Sequence, residues 1–376
     1  MRIEKTTIRR IVTFALRFSG GLTVLILAFL GCALAYRAYR QHENESALAV
    51  HSPNGIQESR FVKIGGIEEF ILIRGEDRNN PVILLVHGGP GLAQSMLFAW
   101  FRPWEKYFTV VQWDQRGAGK TLGRYGKATP NLTEKQMVED GIQVSEYLRS
   151  YLHTDDLILL GHSWGSQLAI QMVAKRPDLY RAYVGTGQAV DDLKAEQVDY
   201  DMVLKAAQNA GNAKDVESLT RIGQPPFTNS NLMLTERSIA AAYGPPNEQP
   251  MSYYRRSIPA ALFAPGFTLR DMWDASYGAL YSLRVLAPEL STFDARKVSL
   301  DFKVPMFFFQ GERDMVTPTS LVEKYMSEIA APHKELVILK GDGHGALLAD
   351  PNQFLSALVT HLRPFVTGGP TSRKGG

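Results

Sequence analysis

The sequence predicts an α/β protein with a mostly parallel, doubly wound sheet, interrupted by a helical insertion and preceded by a transmembrane helix. Three observations carry that expectation. Short, wholly apolar runs alternate with helical stretches, as in strands buried on both faces. The alternation stops between about 189 and 299 and resumes after it. Before it all, residues 18–36 contain no charge.

The N-terminal segment, residues 1–40, carries seven basic residues against one acidic, in a chain whose formal net charge is +3. The body is therefore slightly acidic and has no basic stripe, which argues against a nucleic-acid partner. Phe18 to Tyr36 is uncharged; at about 1.5 Å per residue it approaches the ~30 Å of a hydrocarbon core. Arg2, Lys5, Arg9, Arg10 and Arg17 precede it, so the expected topology is single-pass, with a cytoplasmic N-terminus and the body on the extracytoplasmic side. Two alternatives are secretion after signal cleavage at Ala33-Leu34-Ala35 and lipid modification of Cys32, the only cysteine. Residues 41–58 are polar and read as a tether.

A first core portion then covers 59–188. A hairpin turning at Gly65-Gly66 opens it, followed by strands at Val82–Val86, Thr109–Val111 and Leu157–Leu160. Thr133 and Gln136 form a capping-box pattern at the head of a helix with Val138, Ile142, Leu148 and Leu152 on its apolar face. The insertion, 189–299, is rich in Gln, Asn, Met and Tyr and reads as a helical cap. The second core portion, 300–365, carries strands at Met306–Phe309 and Leu336–Leu339 and a closing helix with Phe354, Leu358 and Leu362 at i, i+4, i+8. Residues 366–376 lack apolar periodicity and read as a disordered tail.

The chemistry concentrates where strands end. Leu157–Leu160 runs into Gly161-His162-Ser163-Trp164-Gly165 and then a helix, the strand–turn–helix setting of a nucleophile elbow. Gly161 and Gly165 flank a turn too tight for side chains, and Ser163 is the candidate nucleophile. A serine hydroxyl needs a base and an orienting acid. His344, in Gly341-Asp342-Gly343-His344-Gly345 after the last strand, is the candidate base; His333 precedes that strand and His361 lies in the closing helix. Asp314, after Met306–Phe309, is the candidate acid in preference to Glu312 and Asp342. For an oxyanion the expected donors are the backbone N–H groups of Gly89 and Trp164. The former lies in the loop His87-Gly88-Gly89-Pro90-Gly91, where His87 reads as structural. No metal-ligand spacing and no complete phosphate loop is present, and no cofactor is expected.

These motifs, with Asp114-Gln115-Arg116-Gly117, resemble the α/β-hydrolase superfamily and, within it, the proline iminopeptidase (prolyl aminopeptidase) branch. The resemblance covers roughly 60–190 and 300–365. It implies an α/β-hydrolase fold and a cofactor-free serine hydrolase that removes N-terminal residues from peptides through an acyl-enzyme. Such enzymes hold the substrate amine with cap glutamates; no stretch of this cap matches theirs, and Asp191, Asp192, Glu196 and Glu236 are the candidates. Cap aromatics such as Tyr253, Tyr254, Phe263 and Trp273 either line an acyl pocket or pack the cap onto the body. A carboxylic-ester, lactone or amide hydrolase on the same core is the alternative, and a non-catalytic binding protein is the alternative of another class. The substrate partner is a small molecule or peptide; the sequence leaves the oligomeric state open.

Overall fold

A computed structural model describes residues 5–227, 230–290 and 292–367. An eight-stranded sheet organises the body: β1 (Ile56–Ile64), β2 (Ile67–Gly75), β3 (Val82–Val86), β4 (Thr109–Asp114), β5 (Leu157–His162), β6 (Tyr180–Thr186), β7 (Met306–Gly311) and β8 (Lys334–Leu339), in the order β1-β2-β4-β3-β5-β6-β7-β8. β1 and β2 pair antiparallel, as do β2 and β4; every later pairing is parallel. The period of two along each strand divides the core. Leu84, Val86, Val111, Leu159 and Phe308 face one layer, while Ile83, Leu85, Ile158, Phe307 and Phe309 face the other with Trp104, Phe354 and Leu358.

In chain order the helices used below are α1 (Lys5–Ala47), α2 (Gly119–Tyr125), α3 (Glu134–Leu152), α4 (Trp164–Lys175), α5 (Asp192–Asn209), α6 (Ala213–Ile222), α7 (Ser230–Tyr243), α8 (Pro250–Leu262) and α9 (Leu269–Leu290). Thr133 caps α3 by accepting from the Gln136 N–H. α5 to α9 form the cap, with a small core of its own around Tyr200, Val203, Leu219 and Met233. α9 rests on two loops of the body at once. Ser282 donates to Gly117 O at 2.8 Å, and a Cβ on Gly91 would collide with Gly278 O.

Several expectations need correction. Residues 41–58 are not a tether. α1 runs unbroken to Ala47, because no Pro or Gly interrupts 41–47 and a polar stretch that continues an existing helix needs no new nucleus. Ile56–Ser59 already belong to β1, so the core begins three residues before 59. The hairpin is correspondingly longer than the sequence suggested. β6 was missed because Arg181 and Gly185 break its apolar run; the guanidinium escapes sideways to Asp156 and Val366 O. At the far end Val366 is buried in the helix Arg363–Thr367, so 366 is no tail, and residues 368–376 lie outside the described residues. Among the described residues one helix, α1, is long and apolar enough to cross a membrane: Thr13–Ala47, mean hydropathy 2.1, with none of its most apolar window buried.

Candidate active site

β5 ends at His162 and α4 begins at Trp164, which leaves Ser163 alone to reverse the chain. It does so at φ 55° and ψ −125°, a left-handed conformation unusual for a residue with a side chain. The flanking glycines make the turn possible. A Cβ on Gly165 would run into Val86 O, and one on Gly161 would stand 2.7 Å from Gly165 O and from Ser166 Cα.

Ser163 Oγ and His344 Nε2 are hydrogen-bonded at 2.8 Å. His344 Nδ1 faces Asp314 at 3.1 and 3.2 Å. Asp314 is fully buried, and each of its oxygens has further donors: the Thr317 N–H at 2.8 Å on one, Thr317 Oγ1 at 2.7 Å and Gln310 Nε2 at 2.8 Å on the other. Burial works against the charge of Asp314, yet His344 and the Thr317 donors hold its carboxyl below the usual range. In this arrangement an ionised acid can keep the imidazole proton on Nδ1 and leave Nε2 free to take a serine proton. A Cβ on Gly187, just beyond β6, would approach the His344 ring to 2.9 Å, so the missed strand supplies the floor under the candidate base.

The N–H groups of Gly89 and Trp164 have no backbone acceptor among the described residues, and Gly88, Gly89, Pro90, Ser163 and Trp164 line one cavity. His87 lies beneath that loop. Burial lowers its pKa to about 4, so the ring is neutral, and it bridges Gly88 O at 2.9 Å and the Gln115 N–H at 3.3 Å. The neighbouring Asp114-Gln115-Arg116-Gly117 motif is scaffold as well: buried Arg116 pairs with buried Asp140 at 2.7 Å and donates to Pro130 O and Gly65 O.

The cavity, about 540 Å³, lies between the sheet edge and the cap. Of the four acidic candidates, Asp192 and Glu196 are on its wall, Glu236 is buried beside wall residue Arg237, and Asp191 is turned away, capping α5 and facing Arg296. Sequence reasoning overlooked Asp199, 3.7 Å from Arg237, and no sequence pattern marks it. Four carboxyls thus surround one guanidinium. Burial pushes Asp192 and Asp199 up to about 8 and raises Glu196 and Glu236, with Arg237 opposing it throughout. Among the described residues, Glu196 Oε2, Glu236 Oε1 and both Asp199 oxygens have no hydrogen-bond donor.

Glu248 was also overlooked. From the cap it accepts the N–H groups of Gly343 at 2.6 Å and Gly345 at 2.8 Å, one on each side of His344. Thr317 carried a weak signal, three residues after Asp314. Of the cap aromatics named above, only Tyr253 lines the cavity. Phe263 packs on α1, and Tyr254 and Trp273 are exposed. Among the described residues no group of three or more His, Cys, Asp or Glu is placed to hold a metal ion.

Residues 81–351 match the family described as alpha/beta hydrolase fold. The chain is 31% identical to the Bacillus subtilis (strain 168) protein named probable aminopeptidase YbaC, over 80% of this chain and 95% of that one. It is 24% identical to a proline iminopeptidase of Clostridium botulinum, over 74% of this chain and 89% of the relative. The crystal structure of the proline iminopeptidase of Mycobacterium smegmatis superposes with a TM-score of 0.56 over 82% of this chain and 98% of its own, at 18% identity, a likeness of fold. The chain therefore belongs to the α/β-hydrolase family, within which it is similar to the proline iminopeptidases.

Proposed function

We propose that this protein is a membrane-anchored serine hydrolase that releases N-terminal residues, proline foremost, from peptides. α1 is read as an uncleaved anchor, its basic end cytoplasmic and the body on the other side. The observation that carries the peptidase reading is the cap cluster: four carboxyls about one guanidinium, with unpaired oxygens, beside the cavity that holds Ser163. Such a cluster has one cation for four carboxyls, and an α-ammonium supplies a second. Binding it lets the raised carboxyls ionise against a partner and fixes the first peptide bond toward the serine.

Ser163 Oγ then attacks the carbonyl carbon as its proton passes to His344 Nε2. The developing oxyanion accepts from the Gly89 and Trp164 N–H groups, and Asp314 stabilises the imidazolium. His344 returns the proton to the leaving amine as the C–N bond breaks, leaving an aminoacyl ester on Ser163. Water, deprotonated by His344, attacks that ester, and the proton goes back to Oγ as the amino acid departs.

The aliphatic part of the cavity, with Leu92, Leu97, Met233, Leu280 and Leu283, favours a second reading, hydrolysis of a carboxylic ester or blocked amide. Turnover by the full chain of a prolyl-arylamide, its N-blocked counterpart and a short-chain aryl ester separates the readings. Preference for the free amine supports the aminopeptidase; cleavage of the ester and blocked amide without it supports the second reading. No Ser163-dependent turnover of any of the three turns attention to a binding role.

A further inference from the structure

α1 is bonded to the cap. Arg37 Nη2 donates to Phe267 O at 2.7 Å, Gln41 Nε2 to Ala264 O at 2.7 Å and Phe267 O at 2.9 Å, and Asn44 Nδ2 to Phe263 O at 2.9 Å. Tyr36 meets the Phe263 ring edge-on, with centroids 5.9 Å apart. The accepting carbonyls belong to the 263–267 corner between α8 and α9, where a helix end leaves carbonyls without intrahelical donors. The end of α1 satisfies them.

The position of these contacts along α1 sets the height of the cap. The uncharged run ends at Tyr36, the residue at which contact with the corner begins. From Arg37 to Asn44 the helix rises only about 10 Å. The corner therefore stands at the level where a spanning helix leaves hydrocarbon for headgroups.

At that level the cap presents apolar side chains to solvent. Ile258, near the end of α8, is 52% exposed; at the start of α9, Leu269 is 48% and Trp273 65% exposed. Leu269 and Trp273 are one turn apart, and Leu280, seven residues further, shares their face and lines the cavity of Ser163. The charges around the corner are mixed with a basic excess: Arg37, Arg40, Lys120 and Arg270 against Glu43, Asp271 and the Arg270-paired Asp274. An exposed indole beside such charges has the composition of a headgroup layer, where tryptophan and arginine concentrate.

We infer that the 263–267 corner, with the adjoining turns of α8 and α9, rests on the bilayer that α1 spans, and that the Leu269–Trp273–Leu280 stripe leads from lipid to the cavity. The inference rests on α1 being a membrane span. Its occupant is the interface of the same membrane, because the apolar surface continues directly from the residue where the span ends.

The test uses the full chain in vesicles of phosphatidylcholine and phosphatidylglycerol. A nitroxide is attached to the native Cys32 or, in a Cys32→Ser background, to Trp273→Cys or Lys303→Cys. Lys303 is exposed just before β7, at the end of the sheet away from the cap. Collision rates with dissolved oxygen and with an aqueous nickel chelate report lipid contact. Labels at 32 and 273 are expected to show an oxygen-to-nickel ratio about fivefold or more above that at 303. A label at 273 that matches 303 while 32 is in lipid overturns the docking and leaves the anchor standing. A label at 32 in water overturns the anchor, and the docking with it.

Discussion

The two walls of the cavity follow opposite rules. On the core wall, each oxygen of Asp314 has at least two donors, His344 is held on both ring nitrogens, and Ser163 is bonded to the base. In the cap cluster beside the other wall, carboxylate oxygens of Glu196, Asp199 and Glu236 are buried with no donor among the described residues, and burial raises their carboxyls. A buried polar group left unpaired costs free energy, so an arrangement of three such acids is retained against stability. The core wall is organised before any ligand arrives. On the aminopeptidase reading proposed above, the cap wall is completed by a ligand, and a cationic one.

The largest effect that sharpens this contrast is Ser163→Ala, which should lower kcat by about 10⁴-fold or more on every substrate the enzyme turns over, ester and amide alike. Residual turnover within tenfold of wild type would remove Ser163 from the chemistry. The cap wall should behave selectively. Asp192→Asn combined with Glu196→Gln is expected to cut kcat/KM for a free prolyl-arylamide by about 10- to 100-fold, the loss of one or two charged hydrogen bonds, and to leave an aryl ester within about threefold. Equal losses on both would mean that these acids shape the cap and do not hold an amine.

Glu248 belongs to both walls and blurs the contrast. Glu248→Gln keeps the shape but turns one acceptor into a donor, facing either the Gly343 or the Gly345 N–H. A fall in kcat of about fivefold on ester and amide together, with KM unchanged, is expected from one hydrogen bond withdrawn from the loop that carries the base. A change confined to KM would make Glu248 a substrate contact and not a positioning residue.

The same division governs what the sequence revealed. Ser163, His344, Asp314, Gly89 and Trp164 stand in short motifs at strand ends, because a tight turn, an exposed amide and a base after the last strand each constrain several consecutive residues. Asp199, Arg237 and Glu248 stand on helices and loops of the cap, brought together only by how α5, α7 and the 244–249 turn fold over the sheet. No local spacing encodes that meeting. β6 was hidden for a related reason: Arg181 and Gly185 are tolerated by contacts outside the strand, with Asp156 and Val366 O for one and with the Gln188 side chain and Phe308 near the other. The polar stretch 41–47 shows the limit of composition, since two of its polar side chains, Gln41 and Asn44, bond the cap where a solvated linker was expected.

The smallest effect is on stability, and it has opposite pH signatures on the two walls. Asp199 titrates at about 8 in the folded protein, far above the ~3.9 of an exposed aspartate, so between those values the native state holds more protons than the unfolded chain. Its contribution is fully present below the unfolded pKa and is lost as pH rises through 8. Asp199→Asn removes that titration, and its Tm relative to wild type should climb between pH 5 and pH 9, by about 2–4 °C for each kcal/mol regained. Asp314 runs the other way. Its folded pKa is depressed, so its stabilisation is present above the unfolded value and disappears only as pH falls through the folded one. Thermal melts of Asp199→Asn beside wild type at the two pH values read the slope of the cap acid directly. A flat gap for Asp199→Asn would mean that Arg237 already neutralises the cluster, and the case for an incoming ammonium would go with it.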